Sequence, residues 1–333
     1  LSPMAPVRPW SGFPDSCCIA SNAPLRCAGV SLPMSALLLL FVCLVLGALV
    51  ARFARPPSGI VAGLNWWVLN IALPALVLVM IPRVHFDRHL WFPVATMWVT
   101  FFGAWLLFAA LGRIFGWPRS RIGALTLVCG LGNTSFMGYP MVQAMHGQPG
   151  LVLAVVSDQL GCFPLLAAGG VVVASLYSGR QPRVALVVRR IVTFPAFVAL
   201  LVGAVVGIAG GWPEALDHLF QQLGQTLTPL AMFSVGLQFK LHLQRDQLGA
   251  LSSGLVWKLA LAPLAGWGLG MLAGVTGLTL MVGVLQAAMA PMISAAILAD
   301  QYELEPRLAN TVLGAGIVLS LATVPLANVL MGG

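Results

Sequence analysis

Charge is what this 333-residue chain has least of. Asp, Glu, Lys and Arg make up 8% of it, and the acids number nine, where soluble domains carry about 25% charged residues. That scarcity excludes a water-soluble globule. Enzyme signatures are missing as well. There is no His-Glu-x-x-His, no Gly-x-Ser-x-Gly and no phosphate-cradling glycine loop ending in Lys-Ser/Thr, so an ATP-driven pump, a zinc protease and a serine hydrolase find no support. The six cysteines form no metal-ligand or disulfide framework: Cys17, Cys18 and Cys27 precede the first apolar run, and Cys43, Cys129 and Cys162 lie singly in apolar sequence, as small core residues do. No metal, no cofactor and no enzymatic activity is expected. The net charge of +8 does not mark a nucleic-acid binder, because its cations sit in short loops between apolar segments, where orientation signals belong.

What the chain has instead is apolar residues, 59% of the total. Stretches of about 20 recur along nearly its whole length, the mark of an all-α polytopic membrane protein. Ten spans are expected: Met34–Ala51, Val61–Ile81, Leu90–Gly112, Arg121–His146, Gly150–Tyr177, Ile191–Ala209, Leu216–Phe239, Gly249–Leu272, Leu280–Ala299 and Leu308–Met331. Residues 1–33 lack periodicity and read as a disordered tail or as sequence upstream of a start at Met34; no basic segment precedes the Leu37–Leu40 run as a signal peptide requires. Twelve Lys and Arg residues between Arg52 and Arg307 fall on one side and four on the other, with Lys258 inside a span. The bias puts the richer side in the cytoplasm and both termini outside, in an inner membrane. The ten tryptophans, Trp66, Trp67, Trp91, Trp117 and Trp212 among them, fall mostly near span ends, as interfacial belts do.

The fourth span contains its own interruption, Gly132-Asn133-Thr134-Ser135-Phe136-Met137-Gly138-Tyr139-Pro140. Glycine tolerates non-helical torsions and proline removes a backbone donor. A matching interruption, Gln286 to Pro291, lies in the ninth span, its proline 151 residues after Pro140. Leu73-Pro74-Ala75-Leu76 in the second span has a counterpart in Thr228-Pro229-Leu230 of the seventh. The chain therefore divides into two five-span repeats, 34–178 and 179–333. An odd number of spans inverts the second copy, and inverted repeats with broken helices are a signature of secondary transporters. Unwound backbone at membrane depth must be buried in protein or line a wet cavity.

Each resumed half-helix presents an N-terminus worth about half a positive charge. Two of them converging suit one carboxylate, with Asn133, Thr134 and Ser135 adding directional hydrogen bonds. Gly138, Tyr139, Pro140, Gln143, Gln286, Pro291 and Ser294 complete the candidate substrate site. A kink whose polar residues only satisfy freed carbonyls is the competing reading. Asp158, an acid inside the fifth span, must face the bundle interior or water. With Gln159 and Asn70 it forms a candidate ion-coupling group, able to alternate between protonated and charged forms or simply to join helices. Lys258 snorkels or pairs with an interior acid such as Asp158. His146 reads as a cap or loop residue.

The Gly132–Pro140 run resembles the Gly-Asn-Thr-x-Phe-x-Gly-x-Pro signature of the auxin efflux carrier family in its bacterial branch. Pro291 to Tyr302, the Leu73–Leu76 element and Asp158 followed by Gly161 are similar to further elements of that family. The resemblance covers about Met34 to Met331. It implies ten helices, an inverted five-plus-five repeat, crossing broken helices 4 and 9 at the substrate site, and a scaffold and transport domain like those of bile-acid/sodium symporters. It also implies small organic anions as cargo, such as malonate or auxin-like acids. Gln159 and Cys162 depart from the residues common in relatives, and no long loop separates the fifth and sixth spans.

The expected function is secondary transport of mono- or dicarboxylates by alternating access, coupled to protons. Sodium coupling in the same fold is the alternative, and a membrane sensor that binds without flux is the third reading. Partners are the anion, the bilayer and H+ or Na+; a homodimer is admissible and nucleic acid is not expected.

Overall fold

A computed structural model describes residues 34–54, 56–84, 88–179, 188–189, 191–238 and 247–332. The tail expected at 1–33 lies outside them. Among the described residues all regular structure is helical, with one isolated two-residue bridge and no strand. The all-helical character expected from the sequence is what these residues show. Five helical segments are long and apolar enough to cross a membrane, and three shorter apolar ones accompany them.

In chain order α1 is Met34–Phe53, α2 is Ile60–Arg83, α3 is Trp91–Phe115 and α4 is Arg119–Gly130. Residues 134–146 form α5 and residues 148–178 form α6, divided at Gly147, whose φ of 64° is non-helical. Then follow α7 (Pro195–Ile208), α8 (Glu214–Gln225) and α9 (Leu227–Leu237). The last four are α10 (Leu248–Leu272), α11 (Gly277–Ala288), α12 (Ile293–Gln301) and α13 (Pro306–Leu330). Chemistry at the ends is as expected: prolines open α7 and α13, where no amide donor is needed, and left-handed glycines close α3 at Gly116 and α6 at Gly179.

Packing sorts the helices into two groups. In one, α1 lies along α9, and α2 packs against α7 and α8. The α1–α9 contact is backbone-close: a methyl on Gly236 would come within 3.0 Å of Gly47 Cα. Small residues permit such approach where lipid gives no hydrophobic drive to association. In the other group α3 and α4 pack together, α11 lies on α3 and α10, and α13 touches α4, α11 and α12. The groups meet where residues 134–138 pack on α9. Trp66 and Trp91 are exposed as belt residues should be, whereas Trp67 and Trp212 turn inward and donate to Thr226 Oγ1 and Leu78 O.

Helical register slips repeatedly. Wide π turns occupy Val68–Ala72, Thr134–Gly138, Ser157–Cys162, Leu165–Gly170 and Trp257–Leu261. Such turns are rare and favour functional sites. Here they carry Thr134, Ser135, Asp158, Gln159 and Lys258.

Candidate functional site

The two breaks touch. α4 stops at Gly130, Leu131 is extended, and the helical path resumes at Thr134. α11 stops at Ala288, Met289 and Met292 are extended, and α12 begins at Ile293. The extended pieces run antiparallel: Asn133 N–H donates to Ala290 O at 2.8 Å and Met292 N–H to Leu131 O at 3.2 Å, bridging Gly132 and Pro291. Each break thus satisfies backbone groups that the other exposes, as irregular backbone in a membrane requires. The first break is shorter than the sequence suggests. Gly138, Tyr139 and Pro140 lie inside the resumed helix, because the π turn ahead of Pro140 accommodates a residue that can neither donate nor tolerate the usual preceding carbonyl. Pro291 does lie in its break, its ring packed against Gly316.

A cavity of about 180 Å³ opens beside the crossing. Asn133, Ser135, Asp158, Gln159, Ser294 and Asn65 give it polar atoms, while Leu69, Leu73, Phe136, Phe163, Phe194, Ile293 and Ile297 give it apolar walls. Phe163 and Phe194 stack with centroids 4.4 Å apart. Among the described residues no cationic side chain lines it.

Asp158 is the electrostatic centre of this cavity and is 3% exposed. Thr134 Oγ1 donates to Oδ1, joined by Ser135 Oγ at 3.3 Å; Tyr139 OH donates to Oδ2 at 2.7 Å and Gln159 Nε2 at 2.9 Å. Three hydroxyls expected to hold a substrate, or to wall it in, are thus engaged by the protein's own carboxyl group. Asn133 differs. The residue lines the cavity, and its buried amide nitrogen finds no acceptor among the described residues, in a setting where a buried donor normally finds one.

The remaining candidates divide. Gln286 packs against Gly138 and donates to Ala154 O at 3.3 Å, behind the crossing and away from the cavity. Gln143 faces a separate small crevice that it shares with Tyr139, Arg83, Gln148, Gln221 and Gln225. Asn70 corrects an expectation: it donates back to Trp66 O at 2.8 Å, and the cavity stripe on α2 is Asn65, Leu69 and Leu73. Lys258 corrects another. It neither snorkels nor meets Asp158; fully buried, its ammonium donates to Ala287 O at 3.0 Å. His146 is the last residue of α5, beside the non-helical Gly147, and bonds Asn328 Oδ1 at 2.7 Å. Sequence reasoning missed Asn65, whose Oδ1 accepts from Ser234 Oγ at 2.6 Å, and the Cys162 thiol, 3.4 Å from Gly132 O.

The cavity is not isolated. A neighbouring space of about 260 Å³ shares Phe163, Phe194, Ser294 and Ile297 and runs toward Gln301. Another, of about 750 Å³, shares Ile293 and includes Arg307, Asn310 and Gln238. On the other side of the Tyr139–Asp158 contact lies the small crevice, lined in part by Arg83, which pairs with Asp217 at 2.7 Å.

Residues 32–327 match the family model described as "Membrane transport protein". An uncharacterized transporter of Methanothermobacter thermautotrophicus is 27% identical over 273 residues, covering 80% of this chain and 88% of its own. One from Methanocaldococcus jannaschii is 25% identical over 292 residues, covering 83% and 92%. The Escherichia coli transporter YfdV is 23% identical over 287 residues, covering 79% and 86%.

Proposed function

Because the chain belongs to the auxin efflux carrier family of membrane transport proteins, we propose that it is a secondary carrier of small organic anions, working by alternating access in an inner membrane. The observation that carries the reading is the meeting of two half-helix starts at one cavity, where Asn133 holds an amide nitrogen with no acceptor among the described residues. Their N-termini and that donor offer a carboxylate what a cation would offer elsewhere. The apolar walls favour a monocarboxylate with an apolar body over a dicarboxylate such as malonate, whose second charge would meet leucine and phenylalanine.

Asp158 supplies the proton coupling. An incoming carboxylate and Asp158 compete for the same hydroxyls of Thr134, Ser135 and Tyr139. Two charged carboxylates sharing those donors repel, whereas a protonated Asp158 needs fewer of them and gives one proton to a neighbour instead. Anion and proton therefore bind together. The ten-span reading fits this cycle: α1, α2 and α7–α9 form a scaffold, and the group carrying both breaks slides against it. The larger cavities toward Arg307 correspond to an inward-open state, in which that arginine draws anions to the vestibule.

Uptake of labelled monocarboxylates into proteoliposomes under an imposed pH gradient tests the reading. Accumulation that collapses with the gradient supports it. Binding with no flux under any gradient would leave a sensor and sink the carrier.

A further inference from the structure

Lys258 is the buried charge that the carboxylate site leaves unused. It sits on the π turn Trp257–Leu261 midway along α10, which turns it inward to full burial. The ion pairs among the described residues are Arg83–Asp217 and Arg121–Glu305, so no carboxylate pairs with it. A lone ammonium in hydrocarbon is costly, so its surroundings must supply negative potential.

They do so with backbone. Nζ donates to Ala287 O in the last turn of α11, 3.0 Å away. A methyl on Gly132 would lie 3.0 Å from Nζ and 3.3 Å from Gln286 O, so the ammonium is wedged against both breaks. α4 and α11 both end here, and each helix C-terminus carries about half a negative charge. Two such ends are matched by one ammonium. The crossing is thus polarised: half-helix N-termini face the carboxylate cavity, and half-helix C-termini face Lys258.

Unwound carbonyls and half-helix C-termini are where broken-helix carriers coordinate a coupling sodium. We propose that the Lys258 ammonium is a tethered substitute for that ion, so that this carrier is built to work without sodium. The neighbouring atoms agree. A hard cation wants several oxygen ligands, whereas the Cys162 thiol, 3.4 Å from Gly132 O, brings sulfur to the same place, which suits soft metals rather than sodium. A tethered charge is never released, so it fixes the crossing without transmitting a sodium gradient. The coupling consequence rests on the carrier reading above; the cation substitution itself does not.

The test is thermal unfolding of the purified full chain in sodium chloride and in choline chloride at equal ionic strength, with no transported substrate present. Wild type is expected to melt at the same temperature in both salts. Lys258→Ala is expected to melt several degrees lower in both salts and to recover part of that loss in methylammonium chloride, whose cation fits the vacated space. Lys258→Met, which fills the space without charge, is expected to lose stability in both salts. Selective stabilisation of wild type by sodium would overturn the proposal, and that arm needs no variant to fold. Lys258→Met melting like wild type would overturn it too. Failed carboxylate uptake with these melting results would remove the carrier reading and leave the substitution standing.

Discussion

Tyr139 donates its phenolic hydrogen to Asp158 Oδ2 across 2.7 Å, and the two residues face different spaces. Asp158 lines the cavity at the crossing, while Tyr139 lines the crevice near Arg83 and Gln143. The bond therefore stands in the partition between two compartments and belongs to the acid proposed to carry the proton. A hydrogen bond to a charged group contributes about 1.5–3 kcal/mol. Tyr139→Phe removes it and little else. Gradient-driven accumulation is expected to fall by about tenfold or more, while exchange of labelled for unlabelled anion persists. Accumulation at the wild-type level would detach Tyr139 from coupling.

Asn133 and Thr134 are neighbours with opposite expectations. The Asn133 amide nitrogen has no acceptor among the described residues, so Asn133→Ala strands none of them at that nitrogen. It should raise the KM for the transported anion by about 5–30-fold, from loss of a bond worth about 1–2 kcal/mol, with the melting temperature of the substrate-free protein nearly unchanged. Thr134→Val strips a donor from the buried Asp158, so it should lower the melting temperature even without substrate. Equal melting losses for both variants would mean that Asn133 is a structural residue.

These contrasts were only partly legible in the sequence. Glycine and proline inside apolar runs gave away both breaks, and an acid in an apolar span gave away Asp158. The sequence overstates the first break because proline usually marks the interruption, whereas Pro140 here follows a π turn and stays helical. Asn70 was misplaced because it lies one residue, or about 100°, off the Asn65–Leu69–Leu73 stripe. The hydroxyls of Thr134, Ser135 and Tyr139 could not be assigned to Asp158, since the contact closes across 19 to 24 residues and past the non-helical Gly147. Lys258 was hidden for a related reason. A π turn shifts the face on which a residue emerges, and ordinary helical periodicity carries no trace of it.

The stacked Phe163–Phe194 pair is part of the cavity's apolar wall and so should set the size of the anion's apolar body. Phe194→Ala enlarges the cavity toward its 260 Å³ neighbour, which the same residue also lines. Relative kcat/KM for bulky over small monocarboxylates should rise by about tenfold, the scale on which apolar pockets discriminate. Competition assays across acids of graded size read this directly. A ranking identical to wild type would place the apolar body elsewhere.

Two glycines separate packing at the crossing from packing against lipid. A Cβ at Gly316 would run into the Pro291 ring, whose backbone is bridged to Gly132. Neither a proline ring nor paired backbone can swing aside, so Gly316→Ala must displace one break relative to the other. Overpacking of this kind costs about 1–3 kcal/mol, and because the displaced element carries the site, the melting temperature and the uptake rate should fall together. Gly268, within α10, has nothing within 4 Å of the position its Cβ would take. Gly268→Ala should be neutral or stabilising by up to about 1 kcal/mol, the helix-propensity difference. If Gly316→Ala melts and transports like Gly268→Ala, the crossing is a looser joint than its backbone bonds imply, and the fixed geometry on which anion binding depends is lost with it.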